Sequence, residues 1–263
     1  MRIKITFQLS GKKQVLPLNY QYPISAWIYK VFAQADKEFA SKLHEAGYKL
    51  ENGKTFKLFT FSQLKFPKHT WKIIPKSDRI EIWSRKVFLT IAFQLPEQME
   101  NFVMGLFQNQ KASIGDKISQ IDMKVETIEV LKNEIPNTAT VKIKPLSPIT
   151  LGLFEENKKY ETYILPTHPK YKELFLKNLI DKYEASGKNR LYLDDLDFNV
   201  VKLYTKTSMQ KIKANTKAET KVRAYWFDFE LTAPKELIEL GLNAGFGSMN
   251  SMGFGMCELV RQD

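Results

Sequence analysis

The chain has 263 residues, with 40 Lys and Arg against 29 Asp and Glu, a formal charge of +11, and a single cysteine. One cysteine closes no internal disulfide, no run of about 18 apolar residues could cross a membrane, and 43% hydrophobic residues is too many for a disordered chain. The cationic excess attracts polyanions, so nucleic acid is the first candidate partner, although a lysine-rich surface that binds nothing anionic has the same composition.

Met1-Arg2-Ile3-Lys4-Ile5-Thr6-Phe7 alternates apolar and polar residues, which predicts a strand over residues 2–9. It lacks the apolar block of a signal peptide, so a cytoplasmic protein is expected. Pro23 opens a helix with Ile24, Trp27, Ile28, Val31 and Ala35 at helical spacing, and a second short helix covers roughly 36–46. Residues 56–62 read as a strand. Residues 70–85 read as a hairpin turning at Pro75-Lys76-Ser77-Asp78. Pro96 starts another helix, with Met99, Phe102, Val103 and Leu106 on one face, and a strand at about 120–131 follows.

The turn-rich segment Lys132-Asn133-Glu134-Ile135-Pro136-Asn137-Thr138 lies near the middle of the chain. Since a single core stops growing at about 250–300 residues, two domains are expected, at 1–132 and 138–263. The second half repeats the order of the first. It shows a strand at 139–145, a helix from Pro169 carrying Tyr171, Leu174, Phe175, Asn178, Leu179 and Tyr183, and strands near 197–205 and 222–232. A helix from Pro234 and a strand at 254–260 complete it. Each half thus reads β-α-β-β-α-β. The expected fold class is α+β, two tandem ferredoxin-like domains whose antiparallel sheets keep one face free, a face that such folds often offer to RNA.

Three constellations could carry chemistry. Five of the 12 glycines fall between Gly241 and Gly255. In Gly245-Phe246-Gly247-Ser248-Met249-Asn250-Ser251-Met252-Gly253-Phe254-Gly255, glycines would let backbone N–H groups approach phosphates, or simply make a bulged loop. A basic stripe, Lys202, Lys206, Lys211, Lys213, Lys217, Lys221 and Arg223, suits an RNA backbone or a solvated hairpin. The third is Tyr29, His44 and Lys57. On helix 36–46, Phe39, Leu43 and Ala46 form the apolar stripe, so His44 should be exposed, as a proton-exchanging imidazole must be, although most lone histidines do no such work. His69 and His168 read as structural or RNA-contacting. There is no His-Glu-x-x-His, and Asp194-Asp195-x-Asp197 fits a turn better than a calcium loop.

These features, with Arg2-Ile3-Lys4-Ile5, Trp27-Ile28-Tyr29-Lys30, Leu43-His44-Glu45 and Lys57-Leu58-Phe59-Thr60-Phe61-Ser62, resemble the CRISPR-associated endoribonucleases that cut repeat RNA. These form the sixth Cas family of the repeat-associated mysterious protein superfamily, and the resemblance spans the whole chain. It implies tandem ferredoxin-like domains and cleavage of CRISPR repeat RNA (pre-crRNA), with no metal and no other cofactor, by a His aided by a Tyr and a Lys. By resemblance these are His44, Tyr29 and Lys57, with Lys54 as the substitute for Lys57. It also implies RNA contacts from Gly245, Gly247, Ser248, Asn250, Ser251, Gly253 and Gly255. The partners expected are repeat RNA, a multi-subunit CRISPR effector complex or a second copy of the chain, and neither a membrane nor a DNA substrate. The alternatives are a non-catalytic RNA-binding subunit of the same superfamily and, more distantly, a ribosome-associated RNA-binding module.

Overall fold

A computed structural model describes every residue except 12, 133, 137–139, 156–159, 190–194, 213, 215–218 and 261–263. Lys213, Lys217, Asp194 and part of the expected connection at 132–138 therefore lie outside the described residues. In chain order the first half runs β1 (Arg2–Leu9), β2 (Gln14–Pro17), α1 (Gln21–Ala35), α2 (Lys37–Glu45), β3 (Tyr48–Lys49), β4 (Thr55–Phe56), β5 (Phe59–Phe61), β6 (Trp71–Ile73), β7 (Arg79–Ile82), β8 (Lys86–Phe93), α3 (Pro96–Gln108), β9 (Lys111–Gly115) and β10 (Gln120–Leu131). The second runs β11 (Thr140–Pro145), β12 (Gly152–Leu153), β13 (Thr162–Tyr163), α4 (Tyr171–Ala185), β14 (Asp197–Ile212), β15 (Thr220–Thr232), α5 (Lys235–Ala244), a 3-10 turn at Asn250–Met252 and β16 (Cys257–Leu259).

The alternation in β1 does what its period dictates. Ile3, Ile5, Phe7 and Leu9 all point into the core, while Lys4 and Gln8 are left outside. β1 pairs antiparallel with both β8 and β10, and the first sheet has the order β5-β8-β1-β10-β9. The second sheet has the order β14-β15-β11-β16. Taking β1-α1-β5-β8-α3-β10 and β11-α4-β14-β15-α5-β16 as the units, each places its second, third, first and fourth strands side by side. That is the ferredoxin-like order twice over, as the patterning predicts.

One assignment differs. The predicted hairpin at 70–85 forms, as β6 and β7 with Lys76 at φ 55° in its turn, but it pairs with β2 in a separate three-stranded sheet. The strand that completes the first ferredoxin-like sheet is β8, Lys86–Phe93, for which the patterning predicts no strand of its own. Turn residues announce a hairpin wherever it packs. The run Lys86-Val87-Phe88-Leu89-Thr90-Ile91-Ala92-Phe93 follows β7 with only a short connection and no comparable turn signal.

The two halves are joined by buried polar contacts as well as apolar ones. The Arg2 guanidinium donates to the carbonyls of Leu242 (2.8 Å) and Cys257 (2.6 Å), tying β1 to α5 and β16. Phe56 and Leu58, from the first half, are buried in the second core beside Phe175, Phe198, Phe229 and Phe246. Phe246 anchors the glycine-rich loop there, its ring lying parallel to Phe175 at 5.9 Å and edge-on to Phe229 at 5.2 Å. Each such aromatic pair adds about 0.5–1.5 kcal/mol beyond area burial.

Candidate active site beside the glycine-rich loop

Asp36 caps α2, its carboxylate accepting from the Phe39 N–H at 3.0 Å. Ala40 and Leu43 face the core from this helix, and His44, in its last turn, is exposed as its position predicts. Gly47 ends the helix at φ +63°, its N–H bonding the Lys42 carbonyl at 2.9 Å. This left-handed residue turns the chain into the β3–β4 hairpin, which brings Lys57 back until its ammonium donates to the His44 carbonyl at 2.7 Å. Burial lowers the Lys57 pKa below the ordinary lysine value.

Tyr29, from α1, meets the His44 ring edge-on, with centroids 4.9 Å apart and planes at 85°. Phe32 and Phe59 hold the other sides of the phenol. Burial pushes the Tyr29 pKa up to about 12, and a hydrogen bond from the Ser251 side chain partly opposes that rise. Tyr29, His44 and Lys57 therefore form one cluster, and Ser25 on the same helix as Tyr29 donates to the Ser251 carbonyl at 2.7 Å, which sets the glycine-rich loop beside it. Lys54 is elsewhere. Its ammonium pairs with Asp181 of α4 at 2.7 Å and lies over the Phe56 ring.

Two supporting features carry no sequence signal strong enough to be found in advance. Gln98, fully buried in the first turn of α3, donates to the Lys57 carbonyl at 2.7 Å. Leu58, the next residue after Lys57, sits at φ 53°, and its carbonyl accepts from the Gln94 N–H at 3.0 Å. A left-handed leucine costs about 1–2 kcal/mol and persists only where its surroundings hold it. Here Gln94, Gln98 and the apolar grip on the Leu58 side chain fix the backbone from which Lys57 projects.

The glycine-rich loop is mostly interior. Gly245, Gly247, Asn250, Ser251, Gly253 and Gly255 are buried, and Ser248, Met249 and Met252 are half-buried. The N–H groups of Gly245, Phe246, Ser248, Met252, Gly253 and Gly255 are bonded to carbonyls within the fold, so these six are not free to cradle phosphates. The loop instead locks the halves together. Gln21 donates to the Gly253 carbonyl (3.0 Å), Ser25 to that of Ser251 (2.7 Å) and Thr60 to that of Phe254 (3.0 Å). Gly253 must be glycine, since a Cβ there would lie 2.6 Å from the Phe61 ring. From the other side Lys182, fully buried, donates to the carbonyls of Gly245 and Gly247, both at 2.6 Å, and burial drives its pKa well below the lysine norm.

The basic stripe lies on the β14–β15 hairpin. Lys202, Lys206, Lys221 and Arg223 are exposed, and Lys211 is half-buried, 4.0 Å from Glu219. Lys211 stands directly opposite Lys221 across the ladder, a like-charge pairing that an anion would relieve. Ile212, Val222 and Ala224 of this hairpin pack with Phe254 and Met252, so the stripe adjoins the loop that reaches Tyr29.

Residues 15–128 match the family model for CRISPR-associated protein Cas6, N-terminal, and residues 131–259 that for CRISPR associated protein Cas6, C-terminal. A curated relative from Methanocaldococcus jannaschii, CRISPR-associated endoribonuclease Cas6 1, is 31% identical over 97% of this chain and 91% of its own. CRISPR-associated endoribonuclease Cas6 of Pyrococcus furiosus is 26% identical over 93% of this chain and 83% of its own. A solved structure of a CRISPR associated protein Cas6 superposes with a TM-score of 0.76 at 30% identity, covering 99% of both chains. With both halves of the family matched in order on a fold of the expected topology, the chain belongs to the Cas6 family of CRISPR-associated proteins.

Proposed function

We propose that this chain is an endoribonuclease that cuts CRISPR repeat RNA within each repeat, without a metal, and so releases guide RNAs for antiviral defence. The observation that carries the reading is the Tyr29–His44–Lys57 cluster beside the glycine-rich loop, which Ser25, one turn before Tyr29 on α1, holds through the Ser251 carbonyl at 2.7 Å. The family membership and the endoribonuclease relatives support the substrate.

RNA supplies its own nucleophile. The ribose 2′-oxygen attacks the adjacent phosphorus, the 5′-oxygen leaves, and the ends are a 2′,3′-cyclic phosphate and a 5′-hydroxyl. One group must take the 2′-OH proton, another must deliver a proton to the departing 5′-oxygen, and a cation must face the charge that builds on the phosphorane. His44 is the solvent-exposed imidazole of the cluster and takes or delivers a proton. With its pKa near 12, Tyr29 stays a neutral phenol at physiological pH, which suits a hydrogen-bond donor and not a base. This leaves His44 as the base and Tyr29 as the group that steadies or protonates the leaving oxygen. Lys57, anchored through one N–H to the His44 carbonyl, keeps its other N–H groups for the phosphate oxygens.

The test is incubation of purified protein with repeat RNA in excess EDTA. The wild-type protein cuts, and His44→Ala binds with unchanged affinity while cutting about 10²–10⁴-fold more slowly. Binding without cutting by the wild-type protein would make this chain a non-catalytic RNA-binding subunit instead.

A further inference from the structure

The free face of the second sheet carries a feature that the cleavage cluster does not use. Strand β14 runs out of register with β15 twice, between Val200 and Lys202 and again between Leu203 and Thr207. Leu203 pairs with Phe227 and Thr207 with Tyr225, so Tyr204, Thr205 and Lys206 together stand opposite Trp226 alone. Such bulges re-aim side chains, and they concentrate at functional places. Around this one the surface opens into a groove of about 260 Å³, lined by Lys144, Pro145, Tyr204, Lys206, Trp226 and Asp228.

The polar groups in the groove are incompletely used. The Tyr204 hydroxyl donates to Asp228 Oδ2 at 2.8 Å, which fixes the carboxylate. Its other oxygen, Oδ1, and the indole Nε1–H of Trp226 are both shielded from solvent and have no hydrogen-bond partner among the described residues. A shielded donor and a shielded acceptor left open in one groove need a reason, because nearly all such groups are satisfied in folded proteins. The cations are placed loosely over the rings. Lys202 lies 5.0 Å from the Tyr204 ring centroid and Lys206 5.3 Å from that of Trp226. Both lysines, and Lys144 across the groove, are exposed, Lys144 in a solvent-screened pair with Glu258 at 3.2 Å that a phosphate can displace.

We infer that the Tyr204–Trp226–Asp228 groove holds one unpaired base of the RNA and reads its edge. The inference rests on the reading of this chain as an RNA-processing protein and adds a specificity site remote from the cut. The base stacks on the face of Tyr204 that Lys202 leaves free. A ring N–H or exocyclic amine of the base donates to Asp228 Oδ1, and a neighbouring ring nitrogen or carbonyl accepts from Trp226 Nε1. Lys206 swings off the indole to a flanking phosphate, and Lys144 takes the phosphate on the other side. The stacking term is indifferent to base identity, and the paired donor and acceptor supply the preference.

The test is an abasic scan. Repeat RNAs with a single abasic nucleotide at each position are titrated against His44→Ala protein, so that no cutting interferes. The expected result is one position where loss of the base weakens binding about tenfold, at the modest end for base–aromatic stacking. That penalty disappears in the His44→Ala, Tyr204→Ala double variant. Tyr204→Phe, which keeps the ring and frees Asp228, retains the abasic penalty and changes which base is preferred there. Abasic penalties that are identical with and without the Tyr204 ring overturn the inference. A failure of the cleavage reading shows in the EDTA assay with the wild-type protein, and a failure of the groove shows only in the scan.

Discussion

Replacing Gly47 with alanine perturbs the cluster while leaving the chemical identity of its three side chains intact. A Cβ at position 47 would lie 2.5 Å from the Phe56 carbonyl oxygen, 3.0 Å from Lys57 Cδ and 3.1 Å from Lys57 Nζ. The φ of +63° costs an alanine about 1–2 kcal/mol, and relieving the overlap costs about 1–3 kcal/mol more. The melting temperature should therefore fall by roughly 5–15 °C. The overlap is relieved by moving the β4–Lys57 segment, which draws the ammonium away from the His44 carbonyl by some fraction of an ångström. A misplacement of about 1 Å costs as much as 10²-fold in rate, so single-turnover cutting of saturating RNA, measured well below both melting temperatures, should slow about 10- to 100-fold. Gly53 is the control. It lies in the same hairpin at φ +86°, and a Cβ there would meet no atom of the described residues within 4 Å. Gly53→Ala should lose the conformational part of the stability and cut at the wild-type rate. A Gly47→Ala protein that melts lower yet cuts as fast as wild type would refute the role given to the Lys57 position.

The two candidate lysines separate in the same assay: Lys57→Ala should slow single-turnover cutting by about 10²-fold with little change in affinity, whereas Lys54→Ala removes the pair with Asp181 and the cation over the Phe56 ring and should act on stability. Tyr29 titrates near 12, so its hydroxyl remains a donor across the assay range, and Tyr29→Phe should lower the pH–rate profile between about pH 6 and 10 without changing its shape; an alkaline limb near pH 9–10 that vanishes in Tyr29→Phe would contradict this. The same raised pKa works on stability: the phenol's contribution is complete below its unfolded pKa of about 10 and is lost as the pH climbs through about 12. Removal of Lys221 or Arg223, both exposed on the hairpin, should lower affinity and reduce the slope of log K against log salt by about 0.7 for each phosphate no longer neutralised, and an unaltered slope removes that residue from the interface.

The duplicated ferredoxin-like order is legible because alternation in β1, helical spacing after Pro23, Pro96 and Pro234, and the turn residues between them are all local signals. Strand β8 is not, because sheet membership is decided by what the strand packs against, and a run such as Val87–Phe93 has no turn chemistry to mark its partners. The exposure of His44 follows from the apolar stripe of its own helix. The choice between Lys54 and Lys57 does not, since it depends on a hairpin that aims one ammonium at His44 and the other at Asp181, 127 residues along the chain. The glycine-rich loop shows the same division. Its glycines are conspicuous, but their N–H groups are largely spent inside the fold, and the link from this loop to the helix of Tyr29 runs through Gln21 and Ser25. Gln98 and the left-handed Leu58 are invisible, because a buried amide and a strained apolar residue look ordinary in a sequence.

The central claim is that the RNA breaks itself through its own 2′-oxygen beside His44. It is tested most directly by a repeat RNA in which the single ribose 5′ of the cut carries hydrogen in place of that hydroxyl. The account predicts unchanged binding and no cutting at that bond, with the all-ribose RNA giving a 2′,3′-cyclic phosphate end. Cutting of the deoxy-substituted RNA at the same bond would contradict it.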